Sequence, residues 1–320
     1  MITVPGFSIA AVYGAVPARE TDNYTVTAAL AGAERAKAVV QATGFPIRRS
    51  VDAGVAVLDL ARLAAKTALE GVEISEIGGV VAVSFSHLRR FPGLAAELQR
   101  DLGLPRDVAA IDLGLACSGY PYGLMVAGQL AAAMGKKVLL VDGDVQSALV
   151  DSSDVNTLAV LSDAATATLV VPGGEGARFA FYTDGARGGA LECSAAGPIK
   201  MNGFEVFRFV ATEVTAFLKG FLGELQVEPE FFVPHQANMY MVRQLAAALG
   251  LDQRMLASGP KFANPGSCSI PLTLAAGGFP SDANGERGIN VLLSGFGAGL
   301  SASAAYLPIS CAIRRGVVEV

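Results

Sequence analysis

Apolar and polar positions along this chain follow a pattern that occurs twice. In the first half, residues 62–69 carry apolar side chains at helical spacing and predict an amphipathic helix. An acidic loop follows, then an apolar run at 79–83 that predicts a strand. A second helix is predicted over 94–102, running into Leu102-Gly103-Leu104, and a strand over 108–111. The second half predicts a helix over 214–225, an acidic loop, a strand over 231–233 and a helix over 241–249 that runs into Leu249-Gly250-Leu251. Each half then reaches a turn of small residues that leads into a helix. One turn is Ala116-Cys117-Ser118-Gly119 and the other Pro265-Gly266-Ser267-Cys268-Ser269. Each half next enters nearly the same strand, Val138-Leu139-Leu140 or Val291-Leu292-Leu293.

The Leu-Gly-Leu glycines lie 147 residues apart, the turns 151 and the strands 153. So small a drift over so long a distance points to a duplicated unit. Strands alternating with helices predict largely parallel sheets, one in each of two halves, 1–170 and 171–320. The alanine-rich helix after Gly119 has few polar positions on any face, which predicts that it is buried. Placed between the two sheets, it gives an α/β fold layered α/β/α/β/α.

Composition narrows the class. With 320 residues, 52% of them hydrophobic and 17% charged, the chain is neither disordered nor a small disulfide scaffold. Lys and Arg number 24 against 29 Asp and Glu, a net charge of −5, so there is no basic footprint for nucleic acid. Cys117, Cys193, Cys268 and Cys311 show no paired spacing and there are only two histidines, so no metal site is expected, and a reducing cytoplasm is the expected compartment. The mean hydropathy of +0.46 raises the question of a membrane. Residues 113–135 and 288–313 carry no charge and are long enough to span one. Glycine and proline punctuate both stretches, which therefore read as strand–turn–helix and not as spanning helices. The first residues have no basic region, so no secretory signal is expected.

Three residues carry candidate chemistry. Cys117 lies between a predicted strand and the buried helix, where the helix dipole and nearby N–H groups favour a nucleophilic thiolate; the plainer alternative is a small buried hydrophobe. His235, in Val233-Pro234-His235-Gln236-Ala237-Asn238, follows a strand end, where α/β sheets place their ligands. His87 also follows a strand but has no companion motif. Asn264, in Ala263-Asn264-Pro265-Gly266-Ser267, reads alone as an ordinary turn residue. The repeat adds weight: Cys117 and Asn264 fall on corresponding turns and His235 at the end of a corresponding strand, so a pseudo-two-fold brings them together. Ser294-Gly295-Phe296-Gly297-Ala298-Gly299 does not match a dinucleotide fingerprint.

These segments resemble the thiolase superfamily, and specifically the β-ketoacyl-ACP synthase III family. The likeness rests on Ala116-Cys117-Ser118-Gly119-Tyr120, Met201-Asn202-Gly203-Phe204-Glu205-Val206-Phe207, Pro234-His235-Gln236-Ala237-Asn238, Asn264-Pro265-Gly266-Ser267 and Gly295-Phe296-Gly297-Ala298-Gly299. The resemblance covers essentially the whole chain. It implies the thiolase-like five-layered fold, and a Cys117 that accepts an acyl group from a thioester. His235 and Asn264 would hold a malonyl thioester during decarboxylation, and the oxyanion hole would come from the main-chain N–H groups of Cys117 and Ala298. Phe91, Phe204, Phe207 and Asn238 are implied as substrate-pocket residues, with the Phe91-Pro92 loop reaching into a partner's acyl pocket in a homodimer. Coenzyme A or carrier-protein thioesters are implied as substrates, with no bound cofactor. Asp163 reads as structural.

The chain departs from the family's pattern in three places. It has no Trp to stack on an adenine; Tyr240 and Ala246-Ala247-Ala248 stand where basic docking residues are usual; and Phe204 replaces a small polar residue. A specialised fatty acid or polyketide-type pathway is the expectation. Any basic docking patch would have to lie elsewhere, for example at the solvated pairs Arg48-Arg49 or Arg89-Arg90. Two alternatives stand beside the condensing reading: an acyltransferase of the same fold without decarboxylation, and a silent partner subunit.

Overall fold

The repeat takes shape as two sheets packed either side of a central helical layer, in a computed structural model that describes residues 1–195, 197–276, 278–280 and 288–320. The strands of the two sheets are β1 (Ile2–Val4), β2 (Phe7–Val16), β3 (Ile77–Val83), β4 (Ala109–Leu113), β5 (Lys137–Asp144), β6 (Ala164–Pro172), β7 (Ala177–Thr183), β8 (Phe231–Pro234), β9 (Gly288–Gly297), β10 (Ser301–Ser310) and β11 (Arg314–Glu319). The first sheet has the order β11-β2-β6-β5-β3-β4 and the second β1-β7-β10-β9-β8. Position by position β2 answers to β7, β6 to β10, β5 to β9 and β3 to β8. The counterpart of β4 has shrunk to one parallel bridge, Met255 beside Phe232.

The sheets are mixed, not largely parallel. Among the described residues, only β11–β2, β5–β3, β3–β4 and β9–β8 are parallel strand pairs. β9 turns directly into β10 through Ala298–Leu300, and a connection that short can only join antiparallel strands. The chain ends also cross between the halves: β11 extends the first sheet and β1 the second.

The layers follow from strand alternation. On β5, Val138 and Leu140 face the central layer while Leu139 and Val141 face outward. On β9, Val291 and Leu293 face the same centre and Leu292 faces outward. Helices α1 (Val57–Ala68) and α2 (Leu94–Asp101) cover the outer face of the first sheet. Outside the second lie α4 (Gly203–Phe209), α5 (Thr215–Leu225) and α6 (Met239–Leu249). Between the sheets lie α3 (Gly119–Met134) and α7 (Ser269–Ala275). Each predicted Leu-Gly-Leu ends a helix with a left-handed glycine, Gly103 at φ 65° and Gly250 at φ 70°.

Although α3 is apolar, it is not enclosed on every side. Met125, Val126 and Leu130 are half-buried, and Ala132, Ala133 and Met134 are exposed. Among the described residues, no helix is long and apolar enough to cross a membrane.

Candidate active site

One cavity of about 660 Å³ opens where the two halves meet, and Cys117, His235 and Asn264 all line it. Its wall is largely apolar, with Phe85, Leu115, Val160, Leu191, Ile199 and Met201 among the lining residues. Each chemical group arrives from the end of a different element.

Cys117 sits on the turn between β4 and α3. Ser303 Oγ donates to the Ser118 carbonyl at 2.8 Å, and the Ser118 and Ser301 hydroxyls are paired at 2.7 Å, which pins this turn to β10. Strand β9 passes so close that a Cβ on Gly295 would stand 2.8 Å from the Cys117 carbonyl oxygen. The helix-dipole expectation of a favoured thiolate does not hold. Burial, with the charge of Asp144 adding to it, pushes the Cys117 thiol up to about 11, against the opposing N–H groups of Ala298 and Cys117 itself. Desolvation outweighs the helix terminus here, so the resting group is a thiol. The N–H groups of Cys117 and Ala298 both act on the sulfur.

His235 follows β8 directly and its N–H donates to the Ser294 carbonyl at 2.7 Å, continuing the ladder. Its ring is 1% exposed, edge-on to Phe296 with centroids 5.5 Å apart. Burial draws its pKa down to about 3, opposed by the Gly266 carbonyl, so the imidazole is neutral. Asn264 is fixed through its main chain: its N–H donates to Val160, and its carbonyl accepts from Ser162 N–H at 3.0 Å and Gln146 Nε2 at 2.9 Å. Its Oδ1 accepts from Gly266 N–H at 3.0 Å, which leaves the Nδ2 amino group to donate elsewhere. The preceding Ala263 holds φ 52° and ψ −137°, a strained conformation for a residue with a side chain.

Of the other expected site residues, Ala298 and Asn238 line the cavity, and Asn238 Oδ1 also caps α6 by accepting from Met241 N–H. Phe91, Phe204 and Phe207 do not line it. Phe91 and Phe204 are 88% and 73% exposed, Phe204 because it sits on the solvent side of α4. Phe207 instead packs with the outer apolar cluster and stacks on Tyr240 at 6.0 Å. Asp163 is structural: it accepts from the N–H groups of Val51 and Ser147 and from the Ser147 hydroxyl. Arg48 and Arg49 are not a solvated pair; they are 7% and 3% exposed, and Arg49 is tied to Glu20 and Glu319.

Sequence reasoning missed three supporting residues. Gln146 spans the Ser162 and Asn264 carbonyls. Asp144 Oδ1 gathers Ser84 Oγ, Phe85 N–H and Ser86 N–H, which sets Phe85 in the cavity wall. Ser269, the first residue of α7, touches His235 at 2.6 Å. Only the alternation along β5, which sends Asp144 inward, offered a signal for any of them.

Residues 111–188 match 3-oxoacyl-[acyl-carrier-protein] synthase III, and residues 226–309 match the C-terminal domain of the same synthase. A β-ketoacyl-[acyl-carrier-protein] synthase III of Gloeobacter violaceus is 32% identical over 93% of this chain and 97% of its own length. The chain belongs to the β-ketoacyl-[acyl-carrier-protein] synthase III family. A crystal structure of a 3-oxoacyl-(acyl-carrier protein) synthase from Burkholderia xenovorans superposes at TM-score 0.93 with 28% identity, covering 100% of this chain and 98% of that one. A priming β-ketosynthase from a polyketide biosynthetic pathway superposes at 0.86 with 25% identity, over 97% and 98%. The two mixed sheets are thus the thiolase fold, and the cavity lies in a condensing enzyme of the synthase III type.

Proposed function

We propose that this condensing enzyme loads an acyl group from a thioester onto Cys117 and then condenses it with a malonyl thioester. In the first step the Cys117 sulfur bonds to the acyl carbon and the donor thiol departs. In the second, the malonyl group loses carbon dioxide and its electron pair passes into an enolate. His235 and the Asn264 amino group stabilise the charge growing on the enolate oxygen. The enolate carbon attacks the Cys117 thioester, releasing a β-ketoacyl product and the cysteine. The single observation that carries this reading is one cavity holding the cysteine, its two main-chain N–H donors and the His–Asn pair. Simple acyl transfer needs a base but no enolate cradle, so the pair favours condensation.

Docking of the thioester's carrier is expected to depend little on charge. Near the mouth, Arg208 is paired to Glu205 at 2.6 Å, while Phe204 and Tyr240 are exposed. A homodimer would cover the open flank of α3 together with exposed Leu88 and Phe91.

Mass spectrometry of the intact protein after incubation with a panel of acyl thioesters tests the first step. One acyl mass should appear, map to Cys117 and vanish in Cys117→Ser. Labelled carbon dioxide released from a malonyl thioester tests the second. A label on Cys193, or acyl transfer with no carbon dioxide, overturns the reading in favour of the acyltransferase.

A further inference from the structure

His235 and Ser269 form a buried network that sets where the ring carries its proton. Ser269 Oγ lies 2.6 Å from His235 Nδ1 and 2.7 Å from the Gly266 carbonyl oxygen. Ser269 is 0% exposed and His235 1%, so no solvent can supply a missing partner. A serine hydroxyl has one proton to give. Were it given to Nδ1, the hydroxyl oxygen would face the Gly266 carbonyl at 2.7 Å with no proton between them. Given to the carbonyl, it leaves a lone pair for Nδ1–H, and every contact is satisfied. We infer that Ser269 is a positioning residue that holds neutral His235 in the Nδ1–H tautomer, through a chain from Nδ1–H to the Ser269 hydroxyl to the Gly266 carbonyl. The Gly266 carbonyl also acts directly on the ring in the same sense. Ser269 is itself steadied on α7, where Thr273 Oγ1 donates to its carbonyl at 2.7 Å.

This tautomer leaves Nε2 with a lone pair. The ring can donate to an enolate oxygen only after Nε2 takes up a proton, which it draws from water as negative charge grows on that oxygen. Loading leaves the ring neutral, because the Cys117 proton departs with the donor thiol. When the condensation step frees Cys117 as a thiolate, the ring passes its proton to the sulfur, a consequence that rests on the proposed condensation.

The chain has two histidines, so ring ¹⁵N nuclear magnetic resonance reads both, and His87→Gln leaves His235 alone. The expected resting spectrum at neutral pH shows a protonated Nδ1 and a pyridine-type Nε2. A protonated Nε2 overturns the inference, whatever the enzyme's substrates prove to be. Ser269→Ala should mix the two tautomers and lower kcat for condensation by roughly tenfold with KM little changed. Ser269→Thr, which keeps the hydroxyl, should restore both. An unchanged ring spectrum in Ser269→Ala shows that Ser269 does not position the ring. Should that variant fail to fold, the parent spectrum and Ser269→Thr decide. Absence of malonyl decarboxylation in the parent enzyme would sink the proposed function and leave the tautomer result standing.

Discussion

Cys117 and Cys268 occupy corresponding turns of the two halves, yet of the two only Cys117 lines the cavity. Cys117 looks into the cavity and has two main-chain N–H groups acting on its sulfur. Cys268 is fully buried, and its thiol points at the carbonyl oxygens of Asp142 and Ala164, 3.2 and 3.4 Å away. The strands beside them explain the contrast. β9 offers Gly295 and Gly297 to the Cys117 turn, and β5 offers Asp142 and Asp144 at the equivalent places. Glycine lets the backbone close in and present N–H groups; at Cys268 burial drives the thiol well above the ordinary value, and the carboxyl groups of Asp142 and Asp144 push in the same direction. The same turn opens on the cavity or stays in the core according to the residues of the strand behind it. The other half brings His235 and Asn264 to the same cavity.

The widest expected effect concerns the pH dependence of Cys117. With its thiol pushed up to about 11, the thiolate fraction grows with pH below that value. Iodoacetamide alkylation, mapped by peptide, should quicken about tenfold per pH unit at Cys117, roughly a thousandfold from pH 6 to 9. Cys268 should stay unlabelled until the protein unfolds. A flat profile at Cys117 would mean that a base already holds its proton. Next, His235→Ala and Asn264→Ala should each slow malonyl decarboxylation by about 10²–10³-fold while leaving some acylation of Cys117. Carbon dioxide release at the parent rate would remove the second half from the chemistry.

Gly295→Ala tests the closing of β9 on the cysteine turn. Its Cβ would stand 2.8 Å from the Cys117 carbonyl, so a loss of about 1–3 kcal/mol in denaturant unfolding is expected, with slower loading. The smallest effects should fall equally on the two halves. Gly103 and Gly250 hold left-handed conformations, and an added methyl group would meet nothing within 4 Å at either, so only backbone strain opposes alanine. Gly103→Ala and Gly250→Ala should each cost about 1 kcal/mol. Unequal costs would mean that the paired helix ends are not equivalent.

What was legible in the sequence was whatever repeats locally. The two Leu-Gly-Leu helix ends, the matching strands at 138 and 291 and the small-residue turns carry their geometry in a few adjacent residues, so the duplication could be read. Cys117, His235 and Asn264 gained their standing by falling on that frame, and the structure lines one cavity with all three. Strand direction was not legible. A run such as Ala164–Pro172 has the same apolar pattern whether it lies parallel or antiparallel to β5, and only its distant partner decides. The burial of Arg48 and Arg49 escaped for the same reason, since Pro17, Ala18, Glu20 and Glu319 hold Arg49 from elsewhere in the chain. The state of the Cys117 thiol depends on how deeply a turn is packed, which no spacing records. Phe204 and Phe207 were placed by likeness to relatives, and α4 turns one outward and packs the other against Tyr240.

The strands that cross between the halves bear on how the chain is made. The first sheet is complete only when β11 reaches β2, and those strands lie at opposite ends of the sequence. A nascent first half leaving the ribosome therefore carries β2 with one unpaired edge until residue 319 has been synthesised. That edge is a site for wrong pairing during the interval, and the link closes one of the longest loops the chain offers. Splitting the protein between its halves would open both sheets at once, so two separately produced halves should assemble only when each brings its own terminal strand to the other.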